Sequence, residues 1–198
     1  MLIATRQESN VHLLDKSAET PLAIFATDLG WTAIAVRGRT LRALVFGHSS
    51  KAKAEAAIAR TLSERDAPAE RTTVVRDHLG RLVIEQLVDE LERFAAGEPV
   101  DFSHVALDES HLTSFGRRIV AACRRIPYGQ TRSYGQLAAV CGSSAAARAV
   151  GQVMAKNRFP LVVPCHRVLG AGGTIGGFSA PDGLTMKRRL LALEGSWL

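Results

Sequence analysis

The chain has 198 residues, 46% of them hydrophobic, and a formal net charge of +6, enough for one ordinary or two small domains with apolar cores. It does not open with the basic, apolar, small-residue order of a signal peptide, and no apolar run reaches the ~18 residues that a membrane span needs. Cys123, Cys141 and Cys165 are an odd set without CxxC spacing, which argues against a disulfide framework or a Cys-based zinc site. The expectation is a cytoplasmic protein with reduced thiols and no membrane contact.

In chain order, Leu22 to Thr27, Trp31 to Val36 and Leu41 to Phe46 are short runs rich in β-branched, leucine and aromatic residues, separated by turn signals. They predict an antiparallel meander. Lys51 to Ser63 is alanine-rich and helix-prone, and a second helix is expected from about Asp77 to Ala96, with Leu79, Leu82, Val83, Gln86, Leu87 and Glu90 at helical spacing. Gly97-Glu98-Pro99 stops it. Val100 to Ser110 reads as a connector, giving units at 1–99 and 111–198 joined through 100–110.

The second unit is more sharply punctuated. Thr113 caps a helix with Phe115, Ile119, Ala122 and Cys123 on one face, ending at Pro127-Tyr128-Gly129. Ser133-Tyr134-Gly135-Gln136 matches a capping box and starts a short helix to Val140. Gly142 supplies a left-handed stop, and Ser143 or Ser144 is positioned to cap a further helix from Ala145 to about Lys156. The pair is a helix-turn-helix pattern. On the second helix Ala147, Val150, Gly151 and Met154 form an inward stripe, and Arg148, Gln152 and Lys156 an outward polar one. This surface has few long polar side chains for reading major-groove base edges. It fits a slim helix in a narrow groove and, equally well, a small-residue helix packed against another.

Charge separates the halves. Residues 1–100 carry 13 Lys/Arg and 14 Asp/Glu, whereas residues 101–198 carry 12 and 5. From Ser110 to Pro181 there is no acidic residue, while Arg117, Arg118, Arg124, Arg125, Arg132, Arg148, Lys156, Arg158 and Arg167 accumulate. Such a surface suits a polyanion, although a merely solvated basic face gives the same count.

Leu161 to Leu169 is an apolar run interrupted by Cys165, His166 and Arg167. An isolated cysteine in such a run is usually inert packing. Here a neighbouring imidazole can take the thiol proton, and a neighbouring cation favours the thiolate nucleophile. Consecutive residues of an extended strand point to opposite faces, so cooperation between Cys165 and His166 requires a bend or a bridging water. No His/Asp/Glu grouping has metal-ligand spacing, and the glycines at 172–173 and 176–177 lack the lysine and helix of a phosphate loop. Neither metal nor cofactor is expected.

Pro127-Tyr128-Gly129, Ser133-Tyr134-Gly135-Gln136-Leu137-Ala138, Ala147-Arg148-Ala149-Val150-Gly151 and Pro164-Cys165-His166-Arg167-Val168 together resemble the O6-alkylguanine-DNA alkyltransferase family. The likeness covers Leu112 to Gly195, and Leu87 to Asp108 more loosely. It implies an RNase H-like α/β N-terminal domain and a mainly α, winged-helix-like C-terminal domain. It also implies a monomer that binds the minor groove of duplex DNA containing O6-alkylguanine. The alkyl group would pass once, irreversibly, to Cys165 after base flipping, with O4-methylthymine as a further substrate.

Residue by residue, the resemblance gives Cys165 as acceptor, His166 and Glu194 as a water-relayed proton path, and Asn157 as a hinge. Tyr134 would help rotate the phosphate and donate toward the leaving base. Arg148 would fill the vacated stack, with Ser133, Ala147, Gly151 and Gln152 along the DNA. Pro160, Val168, Phe178 and Ser179 would form the base pocket. At Ala180-Pro181-Asp182 the chain departs from the small, glycine-rich rim of many members, so a narrower, stiffer rim is expected. Rival readings are a non-catalytic sensor of alkylated bases, a helix-turn-helix regulator and a Cys-His hydrolase. The sensors replace the acceptor cysteine, which is present here.

Overall fold

Alternation along the early strands explains how one sheet acquires two apolar faces. In the computed structural model, which describes residues 12–14, 22–63 and 78–196, β1 (His12–Leu14), β2 (Leu22–Thr27), β3 (Gly30–Arg37) and β4 (Thr40–His48) pair antiparallel in sequence order. β5 (Ala106–Leu107) joins β4 in parallel. The meander expected from the three apolar runs is therefore present, and β1 and β5 extend it at both edges. Ala23, Phe25, Ile34, Val36, Leu44 and Phe46 face one way, Ile24, Ala33, Ala35 and Ala43 the other, all buried.

Each face has its helix. α1 (Lys51–Ser63) covers the small-residue face with Ala54 and Ile58. α2 (His78–Ala95) lies on the larger one through Ile84, Leu87, Val88, Leu91 and Phe94. That buried stripe is turned relative to the expected one: Leu79 and Leu82 are 48% and 49% exposed, and Gln86 faces solvent. The positions 84, 87, 88, 91 and 94 hold an unbroken series of large apolar side chains at helical spacing, so their burial outweighs that of two leucines in the first turns.

The segment read as a connector, 100–110, is tied down. Asp108 N–H donates to the Leu41 carbonyl, Asp108 accepts from Arg42 Nε at 3.3 Å, and one Arg124 nitrogen lies 2.8–3.0 Å from the carbonyls of Phe102, Ser103 and Val105. Arg124 thus serves the interior rather than the positive surface. The apolar cluster under α2 continues into the second half through Ile119, Cys123, Leu137, Val150, Val163 and Leu190.

In that half, α3 (Ser114–Arg124) begins at Thr113, whose side chain accepts from Gly116 N–H. The capping box of α4 (Tyr134–Val140) is complete: Gln136 N–H donates to Ser133 Oγ at 3.0 Å and Ser133 N–H to Gln136 Oε1 at 2.7 Å. Gly142 takes a positive φ of 79° and turns the chain. α5 (Ala147–Ala155) starts two residues later than expected, from Ala146 and without a side-chain cap. Residues 144–145 form a turn whose carbonyl at Ser143 accepts from Ala146 N–H, so neither serine reaches the helix start. β6 (Arg132–Ser133) and β7 (Val168–Leu169) pair in parallel, and α6 (Gly183–Leu193) closes the chain. No helix among the described residues is long and apolar enough to cross a membrane.

Phe94 joins the halves: it is fully buried, with its ring 5.9 Å from Phe102, 6.1 Å from Tyr128 and 6.3 Å from His166. Phe94→Ala is expected to lower unfolding free energy by ~3–5 kcal/mol. Val140→Ala, at a position 73% exposed, should change it by less than about 0.5 kcal/mol. Urea denaturation of both variants checks the contrast.

Candidate active site

Cys165 lies in one turn of 3-10 helix, Cys165–Arg167, not in a strand. This is the bend that cooperation with His166 demands: a tight turn separates the two side chains by about a third of a revolution instead of sending them to opposite faces. The whole run Leu161 to Leu169 is buried. Leu161 holds a positive φ of 72° within the reversal that follows α5, a conformation that costs a non-glycine residue ~1–3 kcal/mol and persists only where packing enforces it.

Asn157 stands at that reversal with both ends of its amide engaged. Its Nδ2 donates to the Val163 carbonyl at 2.9 Å and lies 3.2 Å from Cys165 Sγ, while its Oδ1 accepts from Phe159 N–H at 3.0 Å. Burial pushes the Cys165 thiol above its ordinary pKa, and the Asn157 hydrogen bond and the Lys187 charge pull the other way without cancelling it. The resting group is the thiol, so transfer chemistry here requires a base.

His166 is wholly buried, with Nε2 2.8 Å from Glu194 Oε1. An ionised carboxylate only accepts, so Nε2 carries the proton and donates, leaving Nδ1 as the basic nitrogen. Nδ1 has no hydrogen-bond partner among the described residues. Burial holds the imidazole below its ordinary pKa despite the pull of Glu194. Glu194, itself 5% exposed, accepts from Arg167 through Nε at 2.9 Å and Nη2 at 2.9 Å, and from Gly129 N–H at 3.2 Å. Its pKa is lowered: burial opposes ionisation, and the His166 and Arg167 contacts together outweigh it.

Arg167 therefore does not supply the cation beside the thiol, as its place in the sequence suggested. Its guanidinium turns to Glu194, to the Ile126 carbonyl at 2.6 Å and over the Tyr128 ring at 5.8 Å. The cation that acts on Cys165 is Lys187 of α6, which sequence reasoning missed. It is fully buried, donates to the Val168 carbonyl at 2.6 Å and lies 6.0 Å from the centres of the Tyr134 and Phe178 rings. Its signal was a lysine in register with Met186, Leu190 and Leu191 on the apolar stripe of α6.

Tyr134 opens α4 and is half-buried. Gly176 passes so close that a Cβ there would lie 3.3 Å from the phenol oxygen. Burial raises the Tyr134 pKa, so the phenol remains a donor. A cavity of about 460 Å³ lies before Cys165, Asn157, Pro160, Phe178, Ser179 and Pro181. Val168, expected in the pocket, is fully buried and does not line this cavity, and its carbonyl already accepts from Lys187. Ser179 Oγ is anchored to the Ala155 carbonyl at 3.0 Å.

α5 buries Val150 and Met154, the latter on the cavity wall, and exposes Arg148, Gln152 and Lys156, with Ala147 and Gly151 half-covered between them and Ser133 half-covered just before α4. Arg117, Arg118, Arg125 and Arg132 are also exposed. Among the described residues no group of three or more His, Cys, Asp or Glu side chains could hold a metal ion.

Removing one member of a buried ion pair leaves the other charge unbalanced, at a cost of ~3–5 kcal/mol. Glu194→Gln should lose about that much stability through Arg167, measured by chemical denaturation; a loss below about 1 kcal/mol would contradict the structural weight given to this pair.

Residues 114–196 match the family model described as 6-O-methylguanine DNA methyltransferase, DNA binding domain. A methylated-DNA–protein-cysteine methyltransferase of Mycobacterium bovis is 46% identical over 109 residues, 55% of this chain and 64% of the relative. That of Methanopyrus kandleri is 40% identical over 117 residues, 59% of this chain and 85% of the relative. The matched stretch thus spans under two thirds of the mycobacterial protein. The crystal structure of Mycobacterium tuberculosis OGT in complex with DNA superposes with a TM-score of 0.62 at 31% identity, covering 88% of this chain and 93% of that one. The O6-methylguanine-DNA methyltransferase of Pyrococcus kodakaraensis gives 0.59 at 25% identity, covering 93% and 98%. The chain belongs to the 6-O-methylguanine DNA methyltransferase family.

Proposed function

We propose that this chain repairs DNA directly, moving the alkyl group from O6 of guanine, and from O4 of thymine, onto Cys165 in a single irreversible turnover. The observation that carries the reading is the placement of a hydrogen-bonded thiol on a cavity with a neutral, carboxylate-oriented imidazole as the next residue. The name of the Mycobacterium tuberculosis relative crystallised with DNA supports DNA as the partner.

In the proposed reaction His166 Nδ1 takes the thiol proton, directly or through a water, and Glu194 stabilises the imidazolium that results. The thiolate attacks the alkyl carbon in line. A carbon–sulfur bond forms, the carbon–O6 bond breaks with its electron pair going to the guanine, and the proton lost by the thiol ends on the departing base. A hydrogen bond from the Tyr134 phenol and the nearby Lys187 charge disperse the negative charge that develops. Nothing in the site returns a thioether to a thiol, so each molecule acts once.

A duplex hides the reacting carbon, so the nucleotide must leave the stack. Arg148, exposed on a slim helix, is the side chain we assign to the gap, with Ser133, Ala147, Gly151 and Gln152 against the minor groove. The protein would act as a cytoplasmic monomer. The antiparallel meander of β1 to β4 with a helix on each face supports an RNase H-like description of residues 1–99, to whose sheet β5 of the 100–110 segment adds a parallel edge strand. The helix pair beside β6 and β7 supports a winged-helix-like description of residues 111–198, with 100–110 connecting them.

Incubation with duplex DNA containing O6-methylguanine, followed by mass spectrometry of the intact protein and its peptides, tests the reading. One methyl on the Cys165 peptide, absent from Cys165→Ser, is expected. A protein that binds the lesion and stays unmodified would overturn transfer in favour of a sensor.

A further inference from the structure

Residues 174–182 belong to neither strand nor helix, so no ladder of backbone hydrogen bonds locates the Phe178 ring on the pocket wall. The ring is located by what it packs against. Ser179 Oγ anchors the chain beside it to the Ala155 carbonyl at 3.0 Å. On the ring itself, Lys187 Nζ lies 6.0 Å from the centre and the Phe46 ring meets it edge-on at 6.5 Å. Phe46 belongs to the first half of the chain, yet it lines the same cavity as Cys165, Pro160 and Phe178.

Of the two rings Phe46 is the fixed one. It stands in β4, which pairs with β3 from end to end, and it is 2% exposed within the main apolar cluster. β5 takes the other edge of β4 only at Thr40 and Leu41, and beyond them that edge is fastened to the second half of the chain. Leu44 N–H donates to the Arg158 carbonyl at 2.8 Å, next to Asn157. Gly47, at a φ of 78°, lies so close to α6 and the rim that a Cβ there would stand 3.0 Å from Met186 Cε and 3.8 Å from Pro181 Cδ. Positions 44 and 46 are ~7 Å apart along a strand. One short stretch of β4 therefore holds the segment after α5 and the Phe178 rim at a set distance from each other.

We propose that Phe46 is a specificity-determining residue of the acceptor site, acting through Phe178 to limit the bulk of the group carried at O6. The proposal rests on the alkyl-transfer reading. The bonds made and broken are the same for every adduct: sulfur joins the first carbon, and the bond to O6 breaks with its electron pair going to the base. Phe46 takes no part in either. It fixes where the Phe178 ring stands, and so how far a group attached to that carbon can extend while carbon and sulfur stay in line. A methyl group makes little demand on that wall, whereas an arylmethyl group must share the space with it.

The test uses the full chain and duplexes bearing O6-methylguanine or O6-benzylguanine, with single-turnover rates read by protein mass across a range of pH. Phe46→Ala should raise the ratio of benzyl to methyl transfer roughly tenfold, the lower end of what one methylene of space is worth in an apolar pocket. Methyl transfer itself should stay within about threefold, with an unchanged pH profile. Phe46→Leu, which keeps apolar bulk, should move the ratio the same way by less, and it decides the matter if Phe46→Ala proves unfolded by circular dichroism. Ile34→Ala, buried on the same face of the sheet but outside the cavity wall, should leave the ratio within about twofold.

A folded Phe46→Ala variant whose benzyl-to-methyl ratio equals that of the unaltered protein would overturn the proposal. So would an Ile34→Ala variant that moves the ratio as far, since loss of stability alone would then account for it. A shifted pH profile in Phe46→Ala would also overturn it, by placing the effect at His166 instead of at the pocket wall. Absence of methyl transfer by the unaltered protein would instead sink the reading on which the assignment of Phe46 rests.

Discussion

A carboxylate buried to 5% exposure is tolerable only when its charge is answered on the spot, and the region around the thiol is organised by the answer that Glu194 receives. Arg167 pairs with both of its oxygens, Gly129 N–H donates to one, and His166 Nε2 to the other. Because Arg167 neutralises Glu194, the imidazole need not become a cation to satisfy it. His166 can therefore stay neutral inside the protein and yet have a stabilised cationic form within reach. A nucleophile that rests as a thiol needs that combination in its base.

The same network explains why the halves cannot be considered separately. Glu194 caps α6, Arg167 reaches the Ile126 carbonyl at the end of α3, and Tyr128 OH lies 3.0 Å from the carbonyls of both Gly97 and Leu193. Phe94 packs on the other side of His166. The end of α2, the turn after α3 and the end of α6 thus meet around one imidazole. On the opposite side of Cys165, Phe46 and Gly47 bring the sheet against the rim. The cavity before the thiol takes walls from both halves of the chain.

Local chemistry made much of this readable in advance. The meander, α1, the Thr113 cap and the capping box at Ser133 follow from alternation, alanine content and hydroxyl placement within a few residues, and the structure has them. α5 starts two residues later than its serines suggest, because a turn at 144–145 takes the backbone groups that a serine cap would use. The face that α2 buries is turned from the one its first turns suggest, because neighbouring apolar stripes differ only in what lies opposite them. Arg167 and Lys187 show the same limit at the site. Sequence places Arg167 next to Cys165, but a 3-10 turn aims it at Glu194; Lys187 lies 22 positions away and is brought beside the thiol by α6. Adjacency in sequence says little about the direction of a side chain once the backbone bends, and the N-terminal wall of the cavity has no local signature at all.

Proton removal from Cys165 depends most on His166 being neutral, with its proton on Nε2, while Glu194 is ionised. Nitrogen NMR of the protein labelled in its histidine rings reads this state directly across a pH titration. Burial lowers the His166 pKa, so at pH 7 a protonated Nε2 and a bare Nδ1 are expected, with the imidazolium appearing only as the pH falls below the ordinary histidine value of about 6.5. A His166 ring that carries both protons at pH 7, or whose single proton resides on Nδ1, would contradict the proposed role of the Glu194 network.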